Sequence, residues 1–342
     1  MKGTPRSDGV MIPSEAGPYC PAGGFHVDPV KPVELAILTH AHADHARAGS
    51  RRYLASDASA AVLRHRLGDI DLRTLLYGET IRLGAATVSL HPASHVLGSA
   101  QVRIEVDGET WVWTGDYKRD PDPTCAPFEP LPCDVLVTEA TFGLPVYVWD
   151  DPSEVADRVL AWWRSDRDRP SLLYGYAFGK AQRLLAELER AAARSGEPLG
   201  PVLVHGAVDA LLPAYRAAGV ALPDTVKVGA TDDEGSYGGA LILAPPGAHR
   251  SPWTRRFKAP QTAFASGWMA IRGQRRRRGY EQGFVLSDHA DWPGLLRTVE
   301  ASGADRVYVT HAGSDTFADY LRDVRGVDAR PWPTPWSGNE DG

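Results

Sequence analysis

Short apolar runs separated by polar or glycine-containing segments organise the first part of the chain. Their β-branched content and their length of about 4–8 residues predict strands. The runs are "LAILTH", "ATVSLHP", "AQVRIEV", "TWVWTGD" and "DVLVTEA". Several end in a polar residue, and the ends of strands in layered α/β proteins often carry chemistry.

The pattern changes after "TFGLPVYVWDDP". Helical spacing of apolar residues predicts helices at "PSEVADRVLAWWRS", "KAQRLLAELERAAARSG" and "DALLPAYRAAG", with strands "SLLYGYA" and "PVLVHG" between them. This alternation predicts a small α/β unit with a parallel sheet. From Gln261 onward, strands such as "TAFASGW", "GFVLSDH" and "RVYVTH" resume, with helices at "DWPGLLRTVEASG" and "DTFADYLRDVR".

Two closely joined domains are expected from the length of 342 residues, because domains usually contain about 100–200. We assign residues 1–150 to the first domain, 151–260 to an inserted domain, and 261–342 to the return into the first domain and a proline-rich, peripheral tail. The composition of 43% hydrophobic and 23% charged residues is that of a globular protein.

Localisation and cysteine chemistry follow from what the sequence lacks. The first residues show no apolar core of signal-peptide length, and no window approaches about 18 apolar residues. We therefore expect a cytoplasmic protein without a membrane partner. The 3 cysteines are odd in number and lack CxxC spacing, which argues against a disulfide framework or a thiolate zinc site.

Positive charge is concentrated in one segment although the net charge is −6. Between Ala248 and Tyr280 there is no acidic residue, and the cations are Arg250, Arg255, Arg256, Lys258, Arg272, Arg275, Arg276, Arg277 and Arg278. Such a stripe suits phosphate contact, while a solvated basic loop is the alternative. Arg272 and Arg275–Arg278 connect "SGWM" to "SDHAD", so their segment should run close to the active-site cleft. We therefore expect these arginines to bind substrate.

The segment "HAHADH" at residues 40–45 suggests a metal site. If Thr39 ends a strand, His40, His42, Asp44 and His45 lie on a turn that enters a helix. Imidazole and carboxylate are ligands of zinc and neighbouring metals. Four ligands in one turn exceed the need of a single catalytic ion, so two metals are the natural inference; a histidine-rich polar loop is the alternative.

Other strand ends supply the remaining ligands, His95, Asp116 and His311. The first metal would be bound by His40, His42, His95 and Asp116, and the second by Asp44, His45, Asp116 and His311. Two divalent ions, two carboxylates and a hydroxide leave a charge of about +1, which matches a phosphodiester. The five histidines favour zinc, with manganese open.

The motif "HAHADH", followed by His95 and "TGDY" and preceded by Asp28 in "FHVDP", resembles the metallo-β-lactamase fold. The resemblance implies an α/β protein built as an αββα sandwich. It also implies that Asp28 orients a metal ligand rather than binding metal. An ordinary turn aspartate before Pro29 is the alternative.

The second half resembles the β-CASP nucleases, which include RNase J, the pre-mRNA cleavage endonuclease and Artemis-type nucleases. The matching motifs are "TEATFG", "YAFGKAQRLL", "ASGWM", "LSDHAD" and "VTHAG". The resemblance implies an inserted β-CASP domain, with Glu139, His289 and His311 as acidic residue, phosphate-side histidine and last metal ligand. The catalytic candidates are Asp44, Glu139 and His289. Ser287 and Ser94 are candidates for phosphate contact or for local turns.

More narrowly, "YCPAGGFHVDP" and "SGWMAIRGQRRRRGYEQGFVLSDHADWPGLL" resemble bacterial DNA-ligase-associated exonucleases. This implies a metal-dependent exonuclease that processes DNA ends in repair beside an ATP-dependent DNA ligase and a helicase. His311 departs from the Artemis-type branch, where valine is typical, and agrees with the RNA-processing branch. The alternatives are an RNase J-like RNA nuclease, a glyoxalase-II-like hydrolase and an inactive nucleic-acid-binding subunit.

Overall fold

The chain folds into two compact units in the computed structural model, which describes residues 9–229, 237–271, 279–311 and 313–333. Unit 1 contains the chain up to Arg119, Ala126–Pro145, and the chain from His289 onward. Unit 2 contains Asp120–Cys125 and Val146–Asp288. Both units combine strands with helices, which confirms the predicted mixed α/β class.

The strands and helices are numbered in chain order. The strands are β1 Tyr19–Cys20, β2 Phe25–Val27, β3 Leu35–Ile37, β4 Arg52–Ser56, β5 Leu72–Leu75, β6 Thr80–Leu83, β7 Ala86–Pro92, β8 Ala100–Val106, β9 Glu109–Trp113, β10 Val135–Glu139, β11 Ser171–Tyr174, β12 Val202–Val204, β13 Val226–Lys227, β14 Leu241–Ala244, β15 Gln261–Ala265, β16 Gln282–Phe284, β17 Arg306–Thr310 and β18 Asp328–Pro331. The α-helices are α1 Ala60–Leu67, α2 Pro152–Arg164, α3 Lys180–Ser195, α4 Gly206–Asp209, α5 Leu212–Ala217, α6 Trp292–Ser302 and α7 Ser314–Asp323.

Unit 1 contains two sheets that share an apolar core. The orders are β1-β2-β3-β4-β5 and β18-β17-β10-β9-β8-β7-β6. Val27 and Ile37 of the first sheet belong to the same buried cluster as Val102 and Trp111 of the second. A further cluster joins the second sheet to α6 and α7, so this sheet is covered on both faces. Buried on both faces, β10 reads as the continuous apolar run typical of a parallel strand.

The second sheet brings three chemically important strand ends together. Strands β9, β10 and β17 are parallel neighbours, and Glu139 pairs with Thr310 at their carboxyl ends. Residues that directly follow β9 and β17 therefore lie at one edge of the sheet. Asp116 and His311 are among them.

Unit 2 is a six-stranded parallel sheet in the order β13-β12-β14-β11-β15-β16, with helices between its strands. Helix α2 begins where the Asp151 carboxylate accepts a hydrogen bond from Ser153 N at 2.8 Å, with Pro152 at the first helical position. Its apolar face packs with α3 against the sheet.

Two sequence expectations differ from the structure. The inserted unit extends to Asp288 rather than to residue 260, because β15 pairs with β11 and β16 pairs with β15. The helix expected over 209–219 is shortened to α5, and α4 already ends at Asp209, since Pro213 in the first turn of α5 lacks the N–H that a continuous helix would use.

Among the described residues, no helix is long and apolar enough to span a bilayer.

Candidate metal centre

The segment His40–His45 forms a turn at the carboxyl end of β3. The backbone N–H groups of His45 and Ala46 donate to the His42 carbonyl at 3.2 and 2.8 Å. The helix expected after this turn does not form, and the chain continues through Gly49, at φ +100°, into β4. Hydrogen bonding of Arg51 N to the Val33 carbonyl at 2.9 Å leads the chain back into the sheet.

The four ligands predicted for the first metal lie together. One donor atom from each of His40, His42, His95 and Asp116 lies within 4.8 Å of all the others. His95 Nε2 is 3.0 Å from His42 Nδ1, and His40 Nε2 is 3.5 Å from Asp116 Oδ2. The side chains come from three different loops, so the fold rather than local sequence assembles the group.

The ligands predicted for the second metal adjoin the first group. His45, Asp116 and His311 form a cluster, with His311 Nε2 3.2 Å from Asp116 Oδ1 and His45 Nε2 3.5 Å from Asp116 Oδ2. Asp44 Oδ2 is 3.6 Å from His45 Nε2, and about half of the Asp44 side chain is exposed. Asp116 belongs to both clusters, as a bridging carboxylate must.

The donor set fits divalent metal ions. His40 Nε2 is buried and makes no hydrogen bond to any described residue. Leaving such an atom unsatisfied costs about 1–3 kcal/mol, and coordination would remove that cost. Imidazole and carboxylate donors in this ratio suit zinc and neighbouring metals. The residues of the two clusters that would hold the ions are His40, His42, His45, His95, Asp116 and His311. The predicted ligand Asp44 adjoins His45 without belonging to either cluster of described residues.

Burial and charge together shift the pKa values in these clusters. Burial alone would lower the pKa of His45, but the carboxylates of Asp116, Asp44 and Asp28 outweigh it and raise that pKa to about 10. Burial raises the pKa of Asp116 to about 6 against the opposing effect of its imidazole neighbours. Burial and adjacent imidazoles hold the pKa of His40 well below its usual value. The raised pKa keeps His45 protonated on both nitrogens at neutral pH, so metal binding at Nε2 must displace the proton of that nitrogen.

Asp28 is fully buried and accepts three hydrogen bonds from the histidine turn. Thr39 N donates to Oδ1 at 2.8 Å, and Thr39 Oγ1 and His45 Nδ1 donate to Oδ2 at 2.5 and 2.8 Å. With Nδ1 engaged in this way, His45 presents Nε2 to Asp116. Asp28 adopts φ +43°, a conformation that residues other than glycine seldom adopt. This geometry supports an orienting role for Asp28.

Two threonines that precede metal-site histidines were missed by sequence reasoning. The Thr39 hydroxyl donates to Asp28 and lies 3.0 Å from His40 Nδ1, so its oxygen accepts a hydrogen bond from the N–H of that nitrogen. The Thr310 hydroxyl likewise donates to the Thr138 carbonyl at 3.3 Å and lies 2.8 Å from His311 Nδ1.

Both histidines therefore carry their proton on Nδ1 and keep Nε2 available as a ligand atom. The repeated "TH" at two strand ends was the available sequence signal.

Glu139 and His289 form a second polar pair beside the clusters. His289 Nδ1 lies 2.8 Å from Glu139 Oε2, and Tyr117 N donates to Glu139 Oε1 at 2.7 Å. Burial would raise the pKa of Glu139, but the charge and the hydrogen bond of His289, together with His311 and Thr141, lower it. The His289 ring centroid is 4.6 Å from that of His95, and donor atoms of Asp116, Glu139 and His289 also lie within 4.8 Å of one another.

Lys118 is a further residue that sequence reasoning missed. It is fully buried, and its Nζ donates to the carbonyls of Ser94 and, at 2.8 Å, His95. Ser94 lies at φ +59°, so the lysine secures a turn that presents His95. A lysine directly after "TGDY" was the only signal.

The structure says less about the roles of the remaining predicted site residues, which are two serines and five arginines. Ser94 lies in the turn that Lys118 holds, which favours a role in that turn over phosphate contact. Ser287 lies in unit 2, is buried, and its carbonyl accepts a hydrogen bond from Arg183. The predicted substrate contacts Arg272, Arg275, Arg276, Arg277 and Arg278 lie outside the described residues.

Comparison with known proteins identifies several relatives, although no family model matches the chain. It is 33% identical over 335 residues to a protein of Opitutus terrae named "Probable DNA ligase", covering 95% of this chain and 31% of that protein. It is 28% identical over 169 residues to the endoribonuclease YSH1 of Eremothecium gossypii, covering 49% of this chain and 21% of the relative. A ribonuclease of Thermus thermophilus is 33% identical over 147 residues, covering 35% of this chain and 34% of the relative.

The chain thus spans about a third or less of the length of these relatives. Among solved structures, a protein of unknown function from Enterococcus faecalis V583 has a TM-score of 0.58 at 11% identity, covering 81% of this chain and 75% of that one. At this identity the likeness concerns the fold.

Proposed function

The chain belongs to the metallo-β-lactamase/β-CASP nuclease family, and from that premise we propose that it is a metal-dependent exonuclease that hydrolyses phosphodiester bonds at DNA ends. The observation that carries the proposal is the pair of ligand clusters joined by Asp116. Under the same proposal, unit 1 is the αββα sandwich of the family and unit 2 is its β-CASP insertion.

Two divalent ions in these clusters, zinc or alternatively manganese, would activate water at neutral pH and offset negative charge on the phosphate. The protein's own residues set the geometry around them. Asp28, Thr39 and Thr310 fix the Nδ1 protons of three histidines. Asp116 presents its two oxygens to different imidazoles. Asp44, the other predicted carboxylate ligand, has a more exposed side chain than Asp116.

His289 is suited to bind a phosphate oxygen or to donate a proton to the leaving oxygen. Because the Glu139 carboxylate can only accept, His289 Nδ1 carries the shared hydrogen, and the lone pair of the neutral ring lies on Nε2. The carboxylate also fixes the orientation and the tautomer of the ring. His289 would thus bind a non-bridging phosphate oxygen or, when protonated, donate to the leaving oxygen.

DNA is the favoured substrate because nearly the whole chain resembles a segment of the "Probable DNA ligase". That relationship also supports a role beside a DNA ligase. From the resemblance to DNA-ligase-associated exonucleases we further propose a role in DNA repair with an ATP-dependent ligase and a helicase, in the cytoplasm. The second candidate is an RNA-processing nuclease of the RNase J type. His311 in the cluster and the two ribonuclease relatives favour it.

Matched single-stranded DNA and RNA, each labelled at either end and incubated with zinc or manganese, distinguish these candidates. Stepwise release from DNA supports the proposal and gives the direction of digestion. Cleavage of RNA alone assigns the protein to the RNA-processing branch. Hydrolysis of a thioester without cleavage of either strand would overturn the nuclease assignment for this chain.

A further inference from the structure

The carboxyl edge of the sheet in unit 2 carries a group of ring and cationic side chains outside the metal centre. Its members, which we call the aromatic–basic patch, are His205, Lys227, Trp253 and Arg256. They follow or end strands β12, β13 and β14, which are parallel and neighbouring, so all four belong to the same edge. Arg256 already belongs to the basic stripe that the sequence suggests for phosphate contact.

The strand order makes this edge a natural ligand site. The connection that leaves β12 runs to β13, on the side away from β14, whereas the connection that leaves β14 passes β11 and runs to β15 in the opposite direction. Adjacent strands whose connections leave in opposite directions create a crevice at their carboxyl ends, where ligands of open α/β sheets bind. Trp253 and Arg256 lie in the segment that follows β14.

The patch is built from contacting planar groups. The ring centroids of His205 and Trp253 are 4.8 Å apart, and the guanidinium carbon of Arg256 lies 5.7 Å from the Trp253 ring centroid. Arg256 Nε donates to the Trp253 carbonyl at 3.0 Å, which fixes this layer. His205 is itself held by a hydrogen bond from Ala207 N to its Nδ1 at 3.0 Å.

Exposure and charge favour an anionic, planar ligand. Arg256 and Lys227 are exposed, and His205 and Trp253 are partly exposed. A β carbon at Gly206 would lie 3.5 Å from Lys227 Cε, which places the lysine stem beside His205. Residues 237–271 contain four lysines or arginines and no acidic residue. An indole with a guanidinium over it offers a stacking surface for a base, and the cations suit phosphate.

We propose that the aromatic–basic patch binds a base and its adjoining phosphate in a single strand of nucleic acid. This inference rests on the proposed function, since the strand would be the nuclease substrate. Arg256, supported by Trp253, stacks with the base, and Lys227 contacts the backbone. The patch contributes strand affinity and takes no part in cleavage.

The test is the affinity of the full-length protein for fluorescently labelled oligothymidylate, measured by anisotropy in an Asp116→Ala background that prevents cleavage. Trp253→Ala should weaken binding about fivefold or more, because stacking contributes about 1–3 kcal/mol per base. Trp253→Tyr, which keeps a ring, should bind within about twofold of the parent protein. Lys227→Glu and Arg256→Glu should weaken binding and reduce its dependence on salt.

Arg190→Glu, at an exposed arginine of α3, is the matched control for net charge and should leave affinity unchanged. With an abasic strand, Trp253→Ala should have no effect, because no base remains to stack. Wild-type affinity of Trp253→Ala, or an equal loss with both strands, would overturn the inference. If Trp253→Ala does not fold by circular dichroism, Arg256→Glu decides the matter, and parent-like affinity of that variant would overturn the inference. A protein that cleaves DNA while the patch variants bind normally refutes the patch alone; one that cleaves neither nucleic acid refutes the proposed function.

Discussion

Replacing Thr39 by valine tests how the protein prepares its metal ligands. Valine keeps the shape of the side chain and removes the hydroxyl. His40 Nδ1 loses a hydrogen-bond acceptor at 3.0 Å, and Asp28 Oδ2 loses a donor at 2.5 Å but keeps the bond from His45. The ring of His40 is inaccessible to water, which could otherwise replace the hydroxyl.

The magnitude follows from these two lost bonds. One buried N–H without a partner lowers the free energy of unfolding by about 1–3 kcal/mol. Loss of the partner that fixes a ligand histidine weakens metal affinity by about 10–100-fold. The effect should fall on the ion held by the first cluster, because His40 belongs to that cluster.

Titration of metal-free protein with zinc against a chromophoric chelator gives the affinity of each ion, and urea unfolding gives the stability. Thr39→Ser keeps the hydroxyl and is the matched control, expected to bind both ions nearly as the parent protein does. The reasoning is refuted if Thr39→Val binds both ions within about twofold of the parent protein, or if Thr39→Ser loses as much affinity as Thr39→Val.

Three further predictions concern the proton pair, pH and the basic stripe. His289→Ala should lose most turnover and retain both metals, by elemental analysis, because Nδ1 is engaged with Glu139; loss of metal would show that His289 is a ligand. The raised pKa of His45 should stabilise the metal-free fold fully below pH 6.5 and decreasingly up to about pH 10. The urea midpoint of the metal-free protein should fall across that interval, and a flat profile would contradict this. Replacing Arg275–Arg278 by glutamine should weaken DNA binding and flatten its salt dependence; unchanged affinity at every salt concentration would exclude these residues from the substrate path.

The sequence predicted long, patterned elements well. Strands β7 and β8 match the predicted segments residue for residue, and α2 and α3 each end within one residue of their predicted bounds. Capping and amphipathic spacing are local properties, so they can be read directly from sequence. The strand β14, "LILA", was missed because a fully buried four-residue run has no periodicity, and it does not stand between two predicted helices as the equally buried β11 does.

The candidate ligands were readable because histidine and aspartate clustered at strand ends, whereas their supporting contacts were not. Lys118 contacts Ser94 and His95 only because the fold brings distant segments together. Asp28 contacts His45 for the same reason, and only the family resemblance implied its orienting role. The boundary at residue 260 failed for the same reason. Whether β15 joins one sheet or the other depends on its pairing with β11, which no local pattern encodes.

Metal content and nuclease activity of the parent protein and of Asp116→Ala, measured on the same preparations, test the central claim most directly. Asp116 contacts imidazoles of both clusters, so the parent protein should bind two ions per chain and cleave labelled nucleic acid. Asp116→Ala should lose at least one ion and all cleavage. Full activity in Asp116→Ala, or an active parent protein with no bound metal, would contradict a two-metal centre at this site.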